Sequence, residues 1–557
     1  MSQLIDKIRQ SVIGEGTLIE TEFGKKPLIY ADYTASGRGL TFIEEYIQRQ
    51  VLPFYANTHT EISFTGAQTT ALREQARQQI KQAVNARAED QVIFCGSGAT
   101  AAIHKLIDTL NIRLPADLNE RYKLDTLIPE AERPVVFIGP YEHHSNEIPW
   151  RESIATVVAI PLNEQGQIDL KALECKLKMF SHRTLKIGSF SAASNVTGIQ
   201  TDVEAVACLL HRHGALSFWD YAAAAPYVGI DMIGQGEGGL DGVFISPHKF
   251  IGGPGTPGVL VIKKEILNNS VPAMPGGGTV MYVTPEDHRY IENTERREEG
   301  GTPAIIESIR AGLVFKLQQA VGTDKIEQRE SDFVARALAR WSACSNIEVL
   351  AESDVPRLSI TSFRIKHEGQ DLHYGFVVAL LNDLFGLQVR GGCSCAGPYG
   401  HALLGMDMDY SKALEAQLLA GHTILRPGWV RLNFNYFIDE LSFEYIVRAV
   451  ELVAEFGWRL LPYYCYDPAV GVWRFQAHRT ELPSNLNEWD FETNSEASEM
   501  IPGPESLTHY LESARRVLCE PNRRGNKYTL TLPNAAEKLR WFTLPQEINP
   551  DINSSAA

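Results

Sequence analysis

Cysteine is scarce in this chain, with eight residues in 557 and only Cys393 and Cys395 close together. No spacing among them pairs like metal ligands, so neither a structural zinc site nor a disulfide-stapled secreted domain is expected. Long apolar runs are also missing. No stretch approaches the roughly 20 residues a membrane helix requires. Met1 to Gln10 mixes charged and apolar residues and lacks the apolar core of a signal peptide. Positive charge is in deficit: 52 Lys and Arg face 68 Asp and Glu, for a net charge of −16. Such a surface offers no broad grip on nucleic acid or an anionic membrane. The expectation is a cytoplasmic protein with reduced thiols. What the chain does have is apolar residues, 44% of the total, enough to bury a large core in more than one domain.

Between about Gln91 and Lys264, short apolar runs alternate with helix-like segments. The runs are 91–94, 134–138, 156–160, 186–190, 215–219, 243–246 and 259–262. Several are uniformly apolar without alternation, which suits strands covered on both faces. The pattern predicts an α/β fold, with a large domain over 31–300 built on a mostly parallel sheet covered by helices. Ligands in such sheets collect at the carboxyl ends of the strands. A smaller α+β domain is predicted over 301–462, opening with helical patterns at 305–321 and 325–343 and continuing with strand candidates at 357–364 and 429–434. Residues 1–30 read as an N-terminal arm packing on that domain, and 463–557 as a C-terminal extension, partly disordered. Within the extension, 477–505 is poor in apolar residues, a short helix is predicted over 505–519 and a strand over 527–532, and 549–557 read as disordered.

The polar residues of interest sit at the predicted strand ends. Lys249 closes an apolar run at Ser246-Pro247-His248-Lys249, ahead of a glycine- and proline-rich stretch. A lysine at the mouth of a buried strand is well placed to attack an aldehyde. Asp220 ends another run, at Phe218-Trp219-Asp220. A lysine to hold the aldehyde and an aspartate to hold a pyridinium nitrogen are the two anchors of pyridoxal 5'-phosphate (PLP). Ser97-Gly98-Ala99-Thr100 follows one strand and opens a helix, where free N–H groups can hold a phosphate. Glu142-His143-His144-Ser145-Asn146 offers an imidazole to stack on a ring, and Asn195 offers an amide to its hydroxyl. Read singly, each has an ordinary alternative: a surface turn, a helix cap, a core histidine. No metal site is expected.

In their order and spacing these segments resemble the class V aminotransferase family, and within it the cysteine desulfurases and selenocysteine lyases. The resemblance covers about Leu28 to Leu461. It implies the PLP-dependent fold type I, with Lys249 carrying the cofactor and moving the substrate Cα proton. It also implies that Asp220 pairs with the ring nitrogen, His143 stacks on the ring and Asn195 bonds its hydroxyl. Ala99, Thr100, Ser246 and His248 would surround the phosphate. Thr302, in Glu299-Gly300-Gly301-Thr302-Pro303, matches the threonine a neighbouring subunit supplies, which implies a homodimer. Arg390-Gly391-Gly392-Cys393-Ser394-Cys395-Ala396 looks like the family's cysteine loop and selects Cys395 as the nucleophile. That thiolate would take sulfur from L-cysteine as a persulfide and leave alanine. Arg431, with Arg390, would clamp the substrate carboxylate, and His59 would lie near the amino acid.

The chain departs from the family at Ala223, where most desulfurases have a glutamine or histidine touching the ring hydroxyl. Two alternatives follow. One is another class V PLP enzyme, such as an aminotransferase, cysteine lyase, selenocysteine lyase or epimerase, in which the cysteines are incidental. The other is a sulfur-transfer or assembly partner that keeps the fold. A sulfur-acceptor protein is a possible partner of the leading reading.

Overall fold

The computed structural model describes residues 2–58, 60–351, 354–476, 487, 499–503, 506–520 and 525–549. The chain divides into two compact units. The first takes in Met1–Ile13, Tyr33–Ser331 and Ser353–Leu358, the second Gly14–Asp32, Asp332–Glu352 and Ser359–Ala557.

Unit 1 is organised by a seven-stranded sheet. Its strands are β1 (Gln91–Cys95), β2 (Val135–Ile138), β3 (Thr156–Ala159), β4 (Lys186–Ser191), β5 (Leu216–Asp220), β6 (Gly242–Ile245) and β7 (Gly258–Ile262). They lie in the order β1-β7-β6-β5-β4-β2-β3. From β3 to β6 neighbours run parallel, whereas β7 is antiparallel to both β6 and β1. Most of the predicted runs fall on strands whose residues are buried on both faces, leaving no polar alternation; β3, at the sheet edge, is only partly buried. All residues of β2, β4, β6 and β7 are buried.

Helix α1 (Phe64–Ala83) packs closely on α3 (Ile305–Val321), with Ala76 against Gly312. Between them in sequence, α2 (Gly98–Thr109) buries Ala99, Ala102, Ile103, Leu106 and Ile107. That spacing puts one apolar stripe of α2 onto the sheet core, which includes Ile93, Phe244 and Leu260. The packing fixes the first turn of α2 relative to the ends of β1 and β6.

Unit 2 contains an antiparallel sheet of β8 (Ile347–Val349), β9 (Ile360–His367), β10 (Arg390–Gly392) and β11 (Trp429–Asn433), in the order β8-β9-β11-β10. Helices α4 (Tyr374–Phe385) and α6 (Glu440–Phe456) share its core through Phe376, Leu380, Phe443 and Ile446. Helix α5 (Gly397–Leu404) follows the cysteine loop.

The C-terminal part of the chain is built into this core. The hairpin of β12 (Tyr464–Asp467) and β13 (Val472–Phe475) contributes Tyr464 and Trp473, helix α7 (Leu507–Cys519) contributes Leu518, and the segment after it contributes Phe542 and Leu544. The strand predicted at 527–532 forms no ladder. Leu530 instead bonds through both backbone groups to the Gln546 side chain, at 3.0 and 2.8 Å. Residues 550–557, read as disordered from sequence, lie outside the described residues, as does most of 477–505. No described helix is long and apolar enough to cross a membrane.

Candidate active site

Two groups of candidate residues form, one in each unit. In unit 1 they gather at the carboxyl ends of β1, β5 and β6. Asp220 is the last residue of β5 and is buried. Its Oδ1 accepts the Ala222 N–H at 2.8 Å, and among the described residues no hydrogen bond reaches Oδ2. Burial pushes its carboxyl up, and the Ala222 N–H and the Lys249 charge oppose that shift. Lys249 lies in the single 3-10 turn Pro247–Lys249 just after β6 and is partly buried, its backbone N–H bonded to Ser246 O at 3.0 Å.

The start of α2 locks onto that same turn. The Ala99 N–H donates to Ser246 Oγ at 2.8 Å. Gly98 has φ +57°, and a Cβ there would lie 3.0 Å from Ser246 Oγ and 3.6 Å from His248 Nε2. Only glycine leaves this concave corner open. His248 is held neutral, its pKa lowered to about 4 by burial and then by the Lys249 charge. It therefore contributes a ring N–H or a lone pair, not a cation, at ordinary pH.

His143 joins the group through a short relay. Thr100 Oγ1 donates to Ser145 Oγ at 2.7 Å, and the Ser145 N–H donates to His143 Nδ1 at 3.1 Å. With Nδ1 accepting, the neutral ring carries its proton on Nε2. Asn195 is buried in a turn held by Ser194 Oγ, which accepts the Val196 and Thr197 N–H groups at 3.1 and 3.2 Å. Thr302 is exposed, and Asn57 Nδ2 donates to its Oγ1 at 3.4 Å. His59 lies outside the described residues.

Two supports of this group lie in segments singled out in the sequence but were given no role there. Glu142 is buried, and its carboxylate accepts Gly139 N–H, Ser191 N–H, Ser191 Oγ–H and Asn146 Nδ2–H at 3.1, 2.9, 2.6 and 2.7 Å. These bonds tie the His143 turn to β4. Burial raises the Glu142 pKa to about 7, with the Ser191 and Asn146 bonds opposing. Glu299 anchors the loop of Thr302. It accepts from Arg73 at 2.7 Å, from Arg77 by two bonds of 3.1 Å, and from the Phe94 N–H at 2.7 Å.

The two arginines outweigh the burial of Glu299 and hold its pKa down to about 2. Replacement by glutamine keeps the shape but takes the counterion from the buried Arg73 guanidinium and leaves Arg77 with Glu74 and the more distant Glu295. Glu299→Gln is expected to cost about 3–5 kcal/mol, read by thermal or denaturant unfolding at pH 7. Because the folded value is depressed, the carboxylate's contribution is complete above its ordinary value of 4.5. It is lost as the pH falls toward about 2. The gap between Glu299→Gln and the unsubstituted protein should close over that window.

In unit 2, Arg431 on β11 and Arg390 on β10 are direct cross-strand partners. Two like charges in that register repel, and Asp32 resolves the conflict. Its Oδ1 accepts from Arg431 Nη2 at 3.0 Å and its Oδ2 from Arg390 Nε at 2.9 Å. The Arg431 side chain is 5% exposed and that of Arg390 51%. Cys395 is exposed and Cys393 partly so. Ser394 and Cys395 both take left-handed backbone, φ +55° and +54°, immediately before α5. Among the described residues no cluster of His, Cys, Asp or Glu is arranged to hold a metal.

The unit 1 group fits PLP. An open corner at a helix N-terminus with Ser246 and Thr100 suits a phosphate dianion. A buried carboxylate with one oxygen unengaged suits a protonated ring nitrogen. A doubly covered sheet whose strand ends carry such a lysine and aspartate defines a PLP enzyme. The sequence pattern of the family Aminotransferase class-V matches residues 29–407, and the chain belongs to that family. Its members are PLP-dependent.

Among curated relatives, a probable cysteine desulfurase of Halalkalibacterium halodurans is 31% identical over 385 residues, spanning 68% of this chain and 87% of that protein. One of Staphylococcus aureus is 28% identical over 395 residues, spanning 70% and 87%. The apo cysteine desulfurase of Thermococcus onnurineus superposes with a TM-score of 0.62 at 22% identity, covering 77% of this chain and 95% of that one. The cysteine desulfurase CsdA of Escherichia coli gives 0.60 at 21%, covering 76% and 94%. The fold is that of the PLP-dependent transferases of fold type I.

Proposed function

We propose that the protein removes sulfur from L-cysteine, leaving a persulfide on Cys395 and releasing alanine. PLP, when bound, supplies an electron sink that makes the substrate Cα proton labile. The chain's own residues do the rest. The Ala99 N–H, Thr100, Ser246 and His248 would hold the phosphate, Asp220 the ring nitrogen, Asn195 the ring hydroxyl and His143 the ring. The Lys249 amine takes the Cα proton and returns it. Arg431, assisted by Arg390, binds the substrate carboxylate, exchanging the Asp32 bond for a substrate one. The Cys395 thiolate attacks the substrate sulfur; an S–S bond forms, the substrate C–S bond breaks, and its electron pair ends in a C–H bond of alanine.

The observation that carries this reading is an exposed thiol at Cys395 in the same unit as a buried guanidinium at Arg431. In this reading the enzyme is a homodimer in which Thr302 of one protomer completes the phosphate site of its partner. It works in the cytoplasm, where its eight free cysteines stay reduced, and it passes the persulfide sulfur to an acceptor protein. The test is incubation with L-cysteine, reading alanine, pyruvate and sulfide together. With dithiothreitol present to reduce the persulfide, alanine with sulfide in equal amounts is expected. Pyruvate with sulfide would make the reaction a β-elimination and sink the proposal.

A further inference from the structure

His373, the N-terminal cap of α4, lies buried among aromatic rings drawn largely from the chain beyond β11. It stacks on Trp541 at 5.3 Å between centroids and on Tyr374 at 4.5 Å, with Phe542 edge-on at 5.0 Å and Trp473 at 5.7 Å. Its Nδ1 accepts the Gly375 N–H at 3.0 Å and the Trp473 Nε1–H at 3.1 Å. The proton therefore sits on Nε2, which faces Ile424 O at 3.1 Å. Every polar atom of the imidazole is used within unit 2.

The cluster reaches the cysteine loop through Tyr374. Its ring lies parallel to Trp541, 6.1 Å between centroids and 9° apart. It also lies close to bare backbone. A Cβ on Gly391 would come 2.8 Å from Tyr374 Cδ2, and one on Gly428 would come 2.8 Å from Tyr374 Cε1. Gly391 and Gly392 end β10, and Cys393 follows directly. Beyond it, Ser394 and Cys395 hold left-handed backbone, which L residues adopt only where surrounding structure imposes it. Trp541 is itself fixed, its Nε1–H donating to Leu425 O at 3.0 Å, while the Thr543 N–H donates to Asp371 O at 2.9 Å.

We infer that the C-terminal extension positions the cysteine loop: Trp541 and Trp473 hold His373 and Tyr374, and Tyr374 holds Gly391 and Gly428 beneath Cys393–Cys395. The inference rests on the reading of Cys395 as the nucleophile. Trp541 is a positioning residue, acting through Tyr374, and a segment at the far end of the sequence sets the geometry of the sulfur-accepting turn.

The test uses the full-length holoenzyme with Trp541→Ala, Trp541→Leu, which keeps apolar bulk without a planar ring, and Trp541→Phe, which keeps the stack. In the alanine and leucine variants, kcat for alanine release from L-cysteine, with dithiothreitol present to reduce the persulfide, is expected to fall about tenfold or more, since small misplacements of a reacting group have large effects. KM and the cofactor absorbance should be little changed, and iodoacetamide should label Cys395 several-fold faster. Phenylalanine should restore both kcat and the labelling rate. Wild-type kcat and labelling in a folded Trp541→Leu enzyme would overturn the inference. Failure of the parent reading is separable: if Cys395→Ala still releases sulfide and alanine, the nucleophile is elsewhere, while the labelling rates still report whether Trp541 holds the loop.

Discussion

Replacing Lys249 by alanine is expected to give a folded protein that lacks the yellow band borohydride bleaches and is inactive on L-cysteine. The turn should survive, because its framework is Pro247 and the backbone bond from residue 249 to Ser246 O, both kept by alanine. The amine has two duties, and each is lost. Without it the cofactor aldehyde has no covalent tether and should separate from the protein on gel filtration. Loss of the proton shuttle alone removes about 10²–10⁴-fold in rate. A further consequence lies at Asp220. The Lys249 charge is among the influences holding its carboxyl down, so its removal lets burial push that group higher and weakens its hold on a protonated ring nitrogen. Absorbance before and after borohydride, cofactor retention and product assay check the three effects separately. A Lys249→Ala protein that kept a reducible yellow band would place the anchor on another amine.

The second large effect is expected at Cys395. Cys395→Ala should keep the cofactor spectrum and bind L-cysteine, yet form no persulfide and release almost no alanine. A thiol held on the enzyme reacts as though present at about 10⁵ M or more. Millimolar thiol in solution is therefore a poor substitute, and the loss should exceed about 10³-fold. Alkylation followed by mass spectrometry of the cysteine-treated enzyme reads the persulfide directly. Cys393→Ser is the necessary contrast, because both thiols sit on one turn. If the persulfide mass appears on residue 393 and turnover survives Cys395→Ala, the nucleophile has been assigned to the wrong sulfur.

The large sheet was legible in sequence because most of its strands are buried on both faces. Runs such as 134–138 and 186–190 fall on β2 and β4 within a residue. The strand direction of β7 was not legible, since an apolar run carries no sign of its orientation. In the candidate site, residues next to a strand end with a turn or helix after them, such as Lys249, Asp220 and Ala99, announced themselves locally. Asp32 did not. Its pairing with Arg431 spans 399 residues, and no periodicity or local motif encodes so distant a partner. A register argument supplies the missing signal: two arginines opposed across β10 and β11 demand an acid between them. Glu142 was passed over because its neighbour His143 drew the chemical reading. The extension read as partly disordered because 477–505 is poor in apolar residues, and its aromatic residues, which lie on either side of that stretch, meet only in three dimensions around His373.

The reversed direction of β7 bears on how the lysine turn is assembled. A parallel neighbour of β6 would need a long crossover, whereas an antiparallel one is reached by the short loop after Lys249. Pairing Val259 with Ile245 thus closes a small loop, while pairing Gly258 with Cys95 waits for most of the unit to be threaded into place. Each doubling of loop length adds roughly 0.6 kcal/mol of closure entropy. The β6–β7 ladder is therefore the least costly non-helical contact in the sheet, and its amides are expected to gain protection first in pulse-labelled refolding. On that order of events the lysine's backbone geometry exists before α2 can dock, and the chain builds the anchor first and the phosphate corner around it afterwards.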